Sequence, residues 1–303
     1  MKNLTFLLTT WLAAALNVSA APEISGAEQF TYKTIGDTQL SLFVFKPEGH
    51  KATDKRPAIV FYHGGGWRGG NPAALMPQSR YLAARGMVAI SVQYRLAPAV
   101  KVDGCVRDAV SAFRWVRAHA AELGIDPDRI AAGGGSAGGH LAAAVATLEG
   151  FDEPDANLKI SARPNALVLF NPAVILAPVN GTDLQPEKPS PSEPAIAQRF
   201  GVAPEKVSPY HNIKSNLPPT LIMHGTADMT VPFRTVEAFT AAMKKAGNRC
   251  ELMPYKDQPH SFFNLGKSRE NFIGTMEDTD KFLASLGWLK GPPTVAELVE
   301  KLR

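Results

Sequence analysis

Apolar residues in this chain fall in short runs, and from the third run onward most of the intervals between them carry a stretch with helical spacing. The strand-like runs lie at Gln29–Thr34, Leu40–Phe45, Ala58–Tyr62, Met87–Val92, Arg129–Ala132, Ala166–Phe170, Thr220–His224 and Cys250–Tyr255. Helical spacing covers Pro77–Arg85, Val102–His119, Ser136–Leu148, Thr235–Ala246 and Phe272–Leu286. Strand-helix alternation predicts a parallel sheet with right-handed crossovers, because a parallel neighbour is reached only by crossing a face of the sheet. The first two runs meet at Gly36-Asp37 and read as an antiparallel hairpin at the sheet edge. The expected fold is therefore α/β: a mostly parallel eight-stranded sheet with helices on both faces. With 303 residues, 45% of them hydrophobic, a single domain over 21–303 can bury its own core.

The rhythm breaks once, between Asn171 and Asn216, after the sixth strand. Residues Pro178, Pro186, Pro189, Pro191 and Pro194 crowd this insertion. Proline fixes φ and removes a donor, so the segment is expected to resist regular secondary structure. It serves either as a cap that walls a site or as a plain surface loop. It has no amphipathic run of the kind an interfacial lid would need.

Four stretches carry candidate chemistry, each just past the end of a predicted strand. Gly134-Gly135-Ser136-Ala137-Gly138 has a serine with glycine two residues before and two after, at a strand-to-helix turn. That is the pattern of a nucleophile elbow, in which a tight turn lifts the hydroxyl clear of the sheet. The plainer reading is a glycine-rich turn that packs closely or binds phosphate. His63-Gly64-Gly65-Gly66-Trp67 follows the third strand, and its uncovered N–H groups suit an oxyanion hole. The plainer reading there is a flexible loop. Asp228 lies past the seventh strand and His260 past the eighth. The order Ser136, Asp228, His260 is that of a triad built on an open α/β sheet. His260 would take the Ser136 proton, and Asp228 would orient the imidazole. All three are expected as cleft side chains whose replacement barely disturbs folding.

Other residues compete for roles. Asp257 is a rival acid, but it shares a strand end with His260. His63 reads as a support of the glycine loop, and His140 as a helix residue facing away from the nucleophile. Trp67 is either a wall of the substrate pocket or ordinary packing. Arg95 and Asp108 are expected to pair.

These motifs resemble the α/β-hydrolase superfamily, and within it the hormone-sensitive-lipase-like carboxylesterases. The likeness rests on His63-Gly64-Gly65-Gly66, Tyr94-Arg95-Leu96-Ala97-Pro98, the elbow, Gly225-Thr226-Ala227-Asp228 with Val231-Pro232, and His260-Ser261-Phe262. It spans about residues 27 to 287. The resemblance implies an oxyanion hole formed by the N–H groups of Gly65, Gly66 and Ala137. Two features depart from that group: Gly135 stands where an Asp is usual, and no long helical cap precedes the first strand. In both, the chain is similar to secreted bacterial esterases that act on acetylated or feruloylated polysaccharides. In the resembling fold, Cys105 and Cys250 lie about five strand spacings apart, so two free, buried thiols are expected.

Charge and the chain's beginning narrow the picture. The net charge of +4 is small and evenly spread, which gives no footprint for nucleic acid. Residues 1–20, with Lys2, an apolar stretch from Leu4 to Leu16 and Val18-Ser19-Ala20, read as a secretory signal, or else as a retained anchor. A secreted or periplasmic location is expected. No cluster has metal-ligand spacing and no phosphate loop occurs, so neither a metal nor a cofactor is expected. The expected function is a serine carboxylesterase acting on a small-molecule or oligosaccharide ester. A prolyl-oligopeptidase-type peptidase, a lipase and a non-catalytic binding protein on the same fold are the alternatives.

Overall fold

The computed structural model describes residues 24–184 and 196–301. The expected secretory signal, and Pro186, Pro189, Pro191 and Pro194 of the insertion, lie outside the described residues. The chain opens with β1 (Glu28–Ile35), β2 (Thr38–Phe45), β3 (Arg56–Tyr62), α1 (Met76–Ala84), β4 (Val88–Val92) and α2 (Val102–Ala118). It continues through β5 (Ile125–Gly135), α3 (Ala137–Thr147), β6 (Ala166–Phe170), α4 (Ile196–Phe200), α5 (Pro204–Val207) and β7 (Thr220–Gly225). It closes with α6 (Phe233–Lys245), β8 (Cys250–Tyr255), α7 (Arg269–Ser285) and α8 (Val295–Glu300).

The strands form one sheet in the order β1-β2-β4-β3-β5-β6-β7-β8. Pairings β1–β2 and β2–β4 are antiparallel, and the rest are parallel. β6 is apolar throughout and β3 nearly so, as suits strands that helices cover on both faces. Along β3 the side chains alternate between two cores. Val60 and Tyr62 pack with residues of α2, α3 and α6, whereas Ile59 and Phe61 pack with residues of α1, α7 and α8. Each such fully buried side chain contributes roughly 1.5–3 kcal/mol of hydrophobic stabilisation.

The structure differs from the sequence reading in three places. β5 begins at Ile125 rather than Arg129, because a register shift lets Arg56 pair with Ile125 while Ala58 pairs with Ile130. α8 was not foreseen, being too short to show a period. Val295 and Val299, one turn apart, fill the core beside α7. The insertion is not devoid of regular structure: it carries α4, α5 and a 3₁₀ turn at Pro209–Asn212. Pro204 and Pro209 each sit in the first turn of a short helix, where a preset φ favours helix and the missing N–H costs nothing.

Cys105 and Cys250 are free and buried, as expected. Arg95 pairs with Asp108 through Nε–Oδ2 at 2.8 Å and Nη2–Oδ1 at 2.8 Å. Lys33 of β1 joins them, its Nζ 2.7 Å from Oδ1 of the fully buried Asp108. The group ties the loop after β4 to α2 and the sheet edge. Among the described residues no helix is long and apolar enough to cross a membrane.

Candidate active site

Ser136 stands between the last glycine of β5 and the first residue of α3, with φ 56° and ψ −122°. This sparsely populated backbone is held from both sides. The Ser136 N–H donates to the Phe170 carbonyl at 3.0 Å, and the Ser136 carbonyl accepts the His140 N–H at 2.9 Å. The helix can follow so closely because residue 138 is glycine: a Cβ there would lie 1.9 Å from the Tyr62 carbonyl oxygen of β3.

The chain brings together all three residues expected of a triad. His260 Nε2 lies 3.0 Å from Ser136 Oγ, and His260 Nδ1 lies 2.7 Å from Asp228 Oδ2. A carboxylate can only accept, so Nδ1 carries the proton and Nε2 is free to accept from the serine. Both distances fall within proton-transfer reach. The other oxygen of Asp228 accepts the N–H groups of Thr230 at 2.9 Å and Val231 at 2.8 Å. Burial alone would raise the Asp228 carboxyl. Hydrogen bonds from His224, His260 and the Val231 N–H outweigh it and hold the group well below the usual carboxylate range.

Asp228 corrects one expectation. It is only 4% exposed, so it belongs to the protein interior and not to the cleft surface. The carboxylate stands in for water to two backbone donors of its own loop. Asp257, the rival acid, is exposed; its N–H donates to Thr226 Oγ1 at 2.8 Å.

The glycine loop runs beside the nucleophile. A Cβ on Gly64 would lie 2.9 Å from the Gly135 carbonyl oxygen and 3.4 Å from Ser136 Cβ. At Gly65, φ is +119° and a Cβ would meet the Gly69 carbonyl oxygen at 2.3 Å, so only glycine fits. Gly66 and Ala137, with Ser136, Trp67, Ile175 and Val231, line a cavity of about 120 Å³. A second cavity, of about 340 Å³, lies across Gly66 and Trp67, with Ala97 and Val100 on its wall.

The Tyr94–Pro98 motif anchors this loop. Tyr94 Oη donates to the His63 carbonyl at 2.7 Å, and the Ala97 N–H donates to the Trp67 carbonyl at 2.8 Å. His63 stacks on Tyr94 at 4.3 Å and bonds the Gly64 carbonyl through Nδ1 at 2.8 Å. It is thus the loop support that the sequence suggested. Burial pushes its pKa down to about 4.

Trp67 fills both roles that the sequence left open. It lines the cavity yet is only 6% exposed. His140 does not simply face away: its Nδ1 accepts the Trp67 indole N–H at 3.1 Å, and its Nε2 donates to the Val207 carbonyl at 2.7 Å. One fully buried ring therefore links the glycine loop, α3 and the insertion. Burial lowers its pKa to about 4 as well.

Two residues beside the triad were missed. Asn171, buried with φ 35°, accepts the Ser261 N–H at 3.1 Å and so steadies the loop that bears His260. His224 lies against Asp228, its Nε2 3.3 Å from Oδ2. A lone histidine directly after the apolar run Leu221–Met223 was the available clue. Among the described residues no cluster could hold a metal ion.

Fold and constellation together define the class, an α/β-hydrolase sheet that carries a serine–histidine–aspartate relay at its strand ends. Residues 59–264 match the model of the α/β-hydrolase fold family, and the chain belongs to that family. Among its relatives, the carboxylesterase NlhH of Mycobacterium tuberculosis is 36% identical over 156 residues, 48% of either chain. The carboxylic ester hydrolase LipN of the same organism is 30% identical over 239 residues, covering 73% of this chain and 60% of its own. The matches span about half the length of these curated relatives. Esterase 2 of Thermogutta terrifontis in its apo form is 47% identical with a TM-score of 0.82, over 89% of this chain and 98% of that one. Its butyrate-bound form is 47% identical with a TM-score of 0.81, over the same shares of 89% and 98%.

Proposed function

We propose that this chain is an exported serine carboxylesterase that removes short acyl groups, acetyl first among them, from polysaccharide fragments. The observation that carries the reading is the Ser136–His260–Asp228 relay, at 3.0 and 2.7 Å, opening on a cavity of about 120 Å³. Ser136 Oγ attacks the ester carbonyl while His260 Nε2 takes its proton. The oxyanion meets the N–H groups of Gly65, Gly66 and Ala137, each such donor being worth roughly 3–4 kcal/mol in the transition state. His260 then protonates the departing alcohol. A water molecule, deprotonated by the same ring, releases the acid from the acyl-enzyme.

The small cavity beside Ser136 favours acyl groups of a few carbons over feruloyl. The propionate- and butyrate-bound forms of the Thermogutta esterase support the same range. Export rests on the pattern of residues 1–20, and the carbohydrate alcohol on the likeness to secreted bacterial esterases.

The test is a panel of p-nitrophenyl esters from acetate to palmitate, with acetylated xylan, methyl ferulate and a prolyl anilide alongside. Activity should peak at C2 to C4 and extend to acetylated xylan. Each added methylene gains ~0.8 kcal/mol only while it still finds apolar room, so longer chains should fall away. A maximum at palmitate would make the enzyme a lipase, and preference for the anilide a peptidase. Failure of paraoxon to modify Ser136 in folded protein would leave a binding protein.

A further inference from the structure

His224 is the penultimate residue of β7 and is fully buried. Its Nε2 lies 2.8 Å from the Val231 carbonyl oxygen and 3.3 Å from Asp228 Oδ2. Both neighbours are acceptors, so the proton must sit on Nε2 and is shared between them. Nδ1 is buried with no hydrogen-bond partner. A proton there would be an unmatched buried donor, which costs about 1–3 kcal/mol. The tautomer is therefore set by the surroundings. Phe233 of α6 packs edge-on to the ring at 5.8 Å, and Pro254 of β8 lies beside it in register. Neither carries charge.

We propose that His224 is a positioning residue for the triad, its Nε2–H holding Asp228 in the orientation that meets His260. Each oxygen of the carboxylate then has two donors. Oδ1 takes the N–H groups of Thr230 and Val231, and Oδ2 takes His260 and His224. Without His224, Oδ2 would be held only by the ring it is meant to orient. The same Nε2–H reaches the Val231 carbonyl, so one ring pins both the acid and the far end of its loop to the rigid end of β7. The sequence spacing serves this geometry. His224 and Asp228 are separated by the turn at Gly225, where a Cβ would lie 2.1 Å from the Gln258 carbonyl oxygen on the His260 loop. The inference rests on the triad reading of Ser136, Asp228 and His260.

Two near-isosteric variants separate positioning from mere bulk. The amide nitrogen of His224→Gln can reach the place of Nε2, whereas that of His224→Asn falls short. Sites that react with paraoxon are counted first in wild type. If Ser136 is not modified there, the triad reading itself fails, independently of His224. With reactive sites counted, kcat and KM for p-nitrophenyl acetate are measured per site. His224→Asn should lower kcat about 10- to 100-fold at unchanged KM, the scale of a small misplacement of a catalytic group. His224→Gln should restore most of it. Equal loss in Gln and Asn, wild-type kcat in Asn, or an effect on KM alone would overturn the proposal. Should neither variant fold, the ¹⁵N shifts of His224 in the wild-type enzyme decide. They should show the proton on Nε2, and a proton on Nδ1 alone would overturn the assignment.

Discussion

Replacing Gly135 tests how the structure explains the departure from Asp before the nucleophile. A Cβ at Gly135 would lie 2.4 Å from Phe263 Cζ and 3.1 Å from its Cε1. Phe263 is 4% exposed and stacks on Phe170 with centroids 4.7 Å apart and planes 23° apart. The ring occupies the space that a side chain would need, and it cannot retreat without unstacking. Gly135→Ala should therefore cost about 1–3 kcal/mol of overpacking, of which roughly 0.4–1 is recovered from the less flexible unfolded chain. A net loss of about 1–2 kcal/mol shifts the melting temperature by roughly 2–8 °C. Phe263→Ala alone should cost about 3–5 kcal/mol. Once the ring is gone, adding Gly135→Ala should be neutral or should gain roughly 0.4–1 kcal/mol. Urea unfolding of the two single variants and the double variant measures the coupling, expected to equal the overpacking of about 1–3 kcal/mol. Simple additivity, or a neutral Gly135→Ala in the intact enzyme, would refute the argument. Phe263 lies three residues beyond His260, so Gly135→Ala should also lower kcat.

Ser136→Ala and His260→Ala should each lower kcat by on the order of 10⁶ in an ester assay, and Asp228→Asn somewhat less. Because Asp228 is buried, Asp228→Asn should also destabilise the fold, whereas Asp257→Asn should change neither property. His63 and His140 are depressed from 6.5 to about 4, so the unfolded chain binds protons that the folded one does not. Stability should then fall as pH drops from about 6.5 to about 4, and His63→Gln or His140→Gln should flatten that slope in urea titrations. A fold that strengthened across this window would contradict the assignment. Asp228 acts lower down: its depressed carboxyl contributes stability above its ordinary pKa of 3.8, lost as pH falls through and below that value. The stability gap between wild type and Asp228→Asn should accordingly shrink in acid. Burial pushes the thiols of Cys105 and Cys250 up to about 12 and about 11. A disulfide-exchange reagent should titrate both rapidly in urea and neither rapidly in the folded enzyme.

Much of this molecule could be read from local pattern. Hydrophobic period separates strand from helix within a few residues, so the alternation from β3 onward already implied a parallel sheet. The glycines around Ser136 and in the loop after β3, with Asp228 and His260 past later strand ends, marked the residues that the sheet brings together. What local pattern could not carry was any relation set by how distant segments pack. The burial of Asp228, its second histidine and the Asn171 support of the His260 loop depend on which strand ends lie side by side. Phe263 in the space above Gly135, and the His140 bridge from Trp67 to Val207, depend on how helices and loops settle over them. Short elements escaped for a related reason. α8 and the turns of the insertion have too few residues to show a period, and they exist because the folded core receives Val295, Val299 and Val207. Periodicity is written residue by residue along the chain, whereas a hydrogen bond or a packing contact across the fold exists only after the sheet has closed.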